Sequence, residues 1–274
     1  MIKILRRLKS LFRFPPVMTL RFDVGPKLDP AKTVIFLHGI AASYKTFRPT
    51  LSQITLDPDF KHTRLMAFDL IGFGRSKRPK NWPYDFESYR KVLRRTFQKH
   101  HVRGPIILVG HSMGCLIAAD FAYDQKIHKR KLQVDSLILV SPPIFRPKDT
   151  QYLPDRFLIK SYRDIARHSS NSAVQTIAAF ASHISSFENR NFNTPAFRRS
   201  MEQLIISPAT WRTLSKIRIP TTIIHGLADP LVIGQNLEAL AKRSRHIEYI
   251  TCLGAHDILG AKQRKLIQAI KAKL

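Results

Sequence analysis

A chain of 274 residues carrying 46 Lys and Arg against 19 Asp and Glu, for a net charge of +27, is long enough for one domain with a full core and an insertion, or at most two small domains. Its two cysteines, Cys115 and Cys252, lie far apart without metal-ligand spacing, which excludes a disulfide framework; they read as small buried hydrophobes in a reducing compartment. The charge favours anionic surfaces (phospholipid head groups, nucleic acid, acidic small molecules) or reflects a bias shared across the source organism, and says nothing about the fold.

Residues 1–14 form a basic amphipathic segment. Met1, Ile4, Leu5, Leu8, Leu11 and Phe12 share one stripe of a helical wheel, and Lys3, Arg6, Arg7, Lys9 and Arg13 the other side. The charges interrupt any apolar run of signal-peptide length, and the segment is too short to span a bilayer. Two readings stay open: it lies flat on an anionic membrane, or its stripe packs on the protein's own surface. Pro15-Pro16 then ends the helix.

The next segments alternate between strands and helices. Val17 to Val24 reads as an edge strand closed by a Gly25-Pro26 turn, and Thr33 to Leu37 as the first buried strand, ending in His38-Gly39-Ile40. A helix over Phe47 to Thr55, a strand over Arg64 to Phe68 and a charged-faced helix over Asp85 to Lys99 follow. Pro105 to Val109 is a short, branched, buried strand; Cys115 to Tyr123 begins a helix; Ser136 to Val140 is another strand, closing at Ser141-Pro142-Pro143. From 144 to 214 the alternation stops in favour of helices carrying Phe157, Phe180, Phe187, Phe192, Phe197 and Trp211. It resumes with a strand at Thr221 to His225, a helix near Gly234 to Lys242, a strand at His246 to Leu253 and a basic helix from Ile258. This order predicts an α/β fold with a mostly parallel central sheet flanked by helices. The core is expected over 15–143 and 215–274, and an inserted helical cap over 144–214.

Between the buried strand and its helix stands Gly110-His111-Ser112-Met113-Gly114. A serine at such a sharp strand-to-helix turn needs strained backbone angles, and the flanking positions have no room for side chains; Gly110 and Gly114 meet that demand. The pattern is G-x-S-x-G, the nucleophile elbow. Two further residues of the required chemistry follow later strands: Asp229 in His225-Gly226-Leu227-Ala228-Asp229-Pro230, and His256 in Leu253-Gly254-Ala255-His256-Asp257. A serine hydroxyl needs a neutral imidazole to take its proton and a buried carboxylate to fix the tautomer.

On the elbow, the His-Gly turn, the Asp-x-x-Gly-x-Gly-x-Ser run at 69–76, and the order Ser, acid, His, the chain resembles the α/β-hydrolase fold family, in its serine esterase and lipase-like branch, from about residue 17 to the C-terminus. The serine at 112 argues against the branches with an aspartate nucleophile. The resemblance implies a catalytic triad of Ser112, Asp229 and His256, with an oxyanion hole made by the backbone N–H groups of Met113 and Ile40. It also makes the 69–76 loop a structural signature, and that run lacks the spacing of a dinucleotide fingerprint. Ala41-Ala42 depart from the glycine or proline often found after the His-Gly turn. Other candidates read as structural: His111 as a pocket-lining group, His38 and Asp69 as loop braces, His225 as a satisfied core histidine, Asp257 as a surface or capping group, and Asp135 as lying at the wrong end of the sheet.

The expected function is hydrolysis of a carboxylic ester, lipid-like in character, through an acyl-serine intermediate. The alternatives are a C–C bond hydrolase or an acyl transferase or lyase using the same triad, and a non-catalytic anion- or membrane-binding protein on this fold. No cofactor or metal is expected. The expected partners are a small-molecule ester and an anionic membrane surface met through residues 1–14, and nucleic acid is disfavoured for want of a recognisable module. The expected location is the cytoplasm, with peripheral attachment at the inner membrane surface. Oligomeric state is not set by the sequence.

Overall fold

The computed structural model describes residues 15–128, 132–147, 153–167 and 195–274. Seven strands form one sheet: β1 (Thr19–Val24), β2 (Lys32–Leu37), β3 (Thr63–Asp69), β4 (Ile106–His111), β5 (Val134–Val140), β6 (Thr221–Gly226) and β7 (Ile247–Cys252). Their spatial order is β1-β3-β2-β4-β5-β6-β7. Only β1 runs antiparallel, against β3; every other pairing is parallel. The carboxyl ends of β2 to β7 therefore share one edge, and the sequence expectation of a mostly parallel sheet holds.

Alternation along the strands divides the core in two. Ile35 and Leu37 of β2, with Ile106 and Leu108 of β4, face one layer; Val34 and Phe36, with Ile107 and Val109, face the other. The first layer is covered by α2 (Phe86–Lys99), α3 (Met113–Ile127), α6 (Ala209–Lys216) and α7 (Gly234–Arg243), and the second by α1 (Arg48–Thr55) and α8 (Ala261–Lys271). Helix α2 illustrates why these segments become helices. Asp85 caps its start by accepting from the Ser88 N–H at 2.8 Å. Tyr89, Val92, Leu93, Thr96 and Phe97 then recur at helical spacing on its buried face. Phe97 meets Phe121 of α3 edge-on at 5.5 Å. Burial of each such ring contributes roughly 2–3 kcal/mol. Helix α3 is apolar nearly all round because it packs on the sheet and beneath α2 and α6.

Between β5 and β6 the described residues include α4 (Leu153–Arg167), α5 (Pro195–Ser200), a π-helical turn at Met201–Ile205, and α6. The expected cap thus contains helices where it is described; Phe180, Phe187 and Phe192 lie outside the described residues, as does the segment 1–14. Phe197, Met201, Leu204 and Trp211 join the first core layer, so this insertion is anchored in the main hydrophobic core. No helix among the described residues is long and apolar enough to cross a membrane.

Candidate active site

The loop between β4 and α3 has the expected geometry. Ser112 sits at φ 51°, ψ −121°, a positive-φ conformation that a side-chain-bearing residue adopts only when its surroundings impose it. They do so through two bonds and two absent side chains. The Ser112 N–H donates to the Val140 carbonyl at 2.9 Å, and its carbonyl accepts from Cys115 at 3.0 Å. A Cβ on Gly110 would lie 2.6 Å from Cys115 Cα, and one on Gly114 would collide with the Leu37 carbonyl oxygen. The two glycines therefore let the helix start directly behind the serine and against β2.

That closeness brings the β2 loop to Ser112. A Cβ on Gly39 would be 3.1 Å from Ser112 Cβ, so the turn carrying Ile40 lies against the serine. Met113 opens α3, where the first N–H groups have no intrahelical partner. His38, fully buried, braces this turn: its Nε2 accepts from Leu70 N–H at 2.9 Å, and its Nδ1–H points to the Gly39 carbonyl at 2.7 Å. Asp69 accepts from Tyr44 N–H at 2.9 Å and Arg75 N–H at 2.8 Å and pairs with Arg21 at 3.2 Å. The loops after β2 and β3 are thus fastened together, as expected for His38 and Asp69. Ala41, where a glycine is common, takes φ 54°.

Asp229 and His256 come from the loops after β6 and β7. His256 Nδ1 lies 3.0 and 2.9 Å from the two Asp229 carboxylate oxygens, with both side chains almost completely buried. A carboxylate accepting at Nδ1 puts the proton there and leaves the Nε2 lone pair free to take another. Asp229 Oδ1 also accepts from Leu231 N–H at 3.0 Å. Burial would raise the Asp229 carboxyl, but the His256 ring, the Ser141 hydroxyl and the Lys262 ammonium outweigh it and hold the acid down at about 2.

Ser112 is joined to this pair through its neighbour. His111 Nε2 lies 2.9 Å from the His256 carbonyl oxygen, and the two rings stand 5.0 Å apart. His111 therefore does more than line a pocket: it fixes the main chain of the His256 loop. The structure forms no direct Ser112–His256 hydrogen bond, a contact that commonly tightens only when substrate is in place.

Three groups carry no motif signal, and a fourth, His225, departs from its expected role. Ser141 follows β5 at φ 53° and faces Asp229, lowering its carboxyl. Lys262 of α8 is wholly buried and donates to Ser141 Oγ at 2.9 Å. Tyr162 of α4 donates to the Leu231 carbonyl at 3.1 Å, tying the inserted helices to the acid loop. His225 is only half satisfied among the described residues, since its Nδ1 meets the Tyr249 hydroxyl at 2.9 Å while Nε2 has no partner there. The signal for Lys262 lies in spacing, since Lys262, Leu266 and Ile270 fall on one stripe of α8. Among the described residues no group of three or more His, Cys, Asp or Glu side chains could hold a metal ion.

Comparison with known proteins matches residues 32–259 to the family described as alpha/beta hydrolase fold. The chain belongs to this family. Among solved structures, an esterase from Exiguobacterium antarcticum superposes with a TM-score of 0.72 over 94% of this chain and 97% of that one, at 18% identity, a likeness of fold. The α/β-hydrolase chain is also similar to curated relatives in its sequence. "Probable lysophospholipase BODYGUARD 4" of Arabidopsis thaliana is 34% identical over 117 residues, which are 43% of this chain and 26% of that protein. "Lipid droplet hydrolase 1" of Saccharomyces cerevisiae is 32% identical over 127 residues, 40% of this chain and 31% of that protein. The aligned stretches thus span under a third of these relatives' length.

Proposed function

We propose that this protein is a serine hydrolase that cleaves carboxylic esters, of lipid-like character, through an acyl-serine intermediate. The observation that carries the reading is the buried His256–Asp229 pair held beside a positive-φ serine. In this mechanism Ser112 Oγ attacks the ester carbonyl while His256 Nε2 takes its proton; Asp229 stabilises the imidazolium. The oxyanion is held by the N–H groups of Met113 and Ile40, each contributing on the order of 100-fold or more in rate. The imidazolium protonates the leaving alcohol, and water then releases the acyl group by the reverse sequence.

The lipid-like substrate is supported by the names of the relatives and by the net charge of +27, which draws the protein toward anionic interfaces. In this reading residues 1–14 lie on an anionic membrane surface at the cytoplasmic face, and the helices between β5 and β6 cap the acyl pocket.

The test is a fluorophosphonate probe together with p-nitrophenyl esters of graded chain length, applied to wild type and Ser112→Ala. The wild type is expected to label and to turn over, and Ser112→Ala to do neither. Absence of both in a folded wild type overturns the reading, and turnover of diketones but not esters reassigns the triad to C–C bond hydrolysis. Sedimentation with anionic liposomes, with and without residues 1–14, tests the membrane contact.

A further inference from the structure

Beneath the acid of the site lies a buried cation that the proposed mechanism does not use. Lys262 is fully enclosed, though its α8 neighbours Arg264 and Lys265 are exposed. Its Nζ donates to Ser141 Oγ at 2.9 Å and to the Ala255 carbonyl oxygen, one residue before His256. The Ser141 hydroxyl in turn faces the Asp229 carboxylate and helps to hold it ionised. An ammonium only donates, so the Ser141 hydroxyl accepts from Lys262 and keeps its own proton to offer to the carboxylate beside it. Space for the cation is made by Gly226, where a Cβ would come within 2.8 Å of Nζ.

We propose that Lys262, acting through Ser141, is a positioning residue that holds the Asp229–His256 pair in its productive arrangement. The inference rests on the hydrolase reading above for its catalytic consequence, but its geometry stands alone. One ammonium binds the end of β5, through it the acid after β6, and the loop after β7 that carries the imidazole. A chain of bonds in a dry interior polarises each member, so loss of the cation weakens the hydroxyl's grip on the carboxylate as well as freeing the His256 loop. The titratable groups facing Lys262 are Asp229, Cys252 and Asp257, and its charge is also felt at His111 and His225. Burial lowers the lysine below its usual range, and Asp229, the largest opposing influence, draws it back.

Two variants test the proposal. Lys262→Met keeps the apolar stem and removes the charge; Ser141→Ala removes the hydroxyl while keeping a Cβ at the same backbone angles. Each is measured for kcat and KM on a p-nitrophenyl ester across pH, and for the low-field proton NMR signal of the His256 Nδ1–H, assigned by its loss in His256→Ala. Both variants are expected to lose about 10- to 100-fold in kcat, the scale of a lost charge-assisted hydrogen bond, with KM within about twofold. The Nδ1–H signal broadens or vanishes in both. A role in folding alone would lower Tm and leave kcat, its pH profile and the signal of the folded protein unchanged, which overturns the proposal. If Lys262→Met does not fold, Ser141→Ala decides by the same criteria. If the wild type turns over no ester, the hydrolase reading falls, and the NMR signal still decides whether Lys262 and Ser141 position the pair.

Discussion

The residue preceding Ser112 holds the loop of His256 in place: His111 Nε2 lies 2.9 Å from the carbonyl oxygen of His256. The facing carbonyl requires a proton on Nε2, so His111 Nδ1 is bare, and among the described residues it has no partner. Burial, reinforced by His256, pushes the His111 ring down to about 3.

This has a consequence for stability against pH. In the unfolded chain His111 binds a proton below about 6.5; in the folded chain it does so only near 3. Between those values the unfolded state holds the extra proton, so stability falls as pH falls, by about 1.4 kcal/mol per pH unit for this one group. Urea unfolding at pH 7, 6, 5 and 4 is expected to show this slope, and His111→Gln, which keeps a donor without titrating, to flatten it. An equal slope in the variant removes His111 as the source.

Asp229→Asn is expected to leave the fold intact and to lower kcat about 10⁴-fold, because an amide donor at His256 Nδ1 favours the wrong tautomer. Ester turnover measured with titrated active sites, beside circular dichroism of the variant, checks both halves of the statement.

Two glycines should respond very differently to one methyl group. Gly114→Ala drives a Cβ into the Leu37 carbonyl and is expected to prevent the elbow from forming, seen as loss of soluble protein or a collapse in Tm. Gly260→Ala places its methyl in open space at φ 56°, ψ −120° and should cost only the backbone strain of that conformation, about 1–3 kcal/mol.

Arg64 fastens the antiparallel edge of the sheet. Its guanidinium is buried, spans both Asp23 oxygens at 2.9 and 3.0 Å, and donates to the carbonyls of His101 and His100. Arg64→Met strands the Asp23 carboxylate and two carbonyls, and is expected to cost about 3 kcal/mol, or a Tm lower by on the order of 10 °C.

Much of this arrangement was legible because it depends on local chemistry. The elbow is written in Gly110, Ser112 and Gly114, and strand ends announced Asp229 and His256. The same reading missed groups whose role arises only from folding. Ser141 looks like an ordinary strand-end serine, and Lys262 lies in a helix with Lys265 and Lys271, so that nothing in composition separates the enclosed lysine from the solvated ones. The place of His225 within a strand reads as that of a satisfied core histidine; its Tyr249 partner comes from the neighbouring strand, a pairing set by register.

Strand β7 has a neighbour on one side only and a half-open burial pattern, yet the loop following it carries His256. The imidazole therefore hangs from an open margin of the sheet, where fraying demands less free energy than global opening. Mild denaturant should silence turnover before Trp82 and Trp211 report any loss of the interior, and backbone amides of β7 should exchange with deuterium ahead of those in β4.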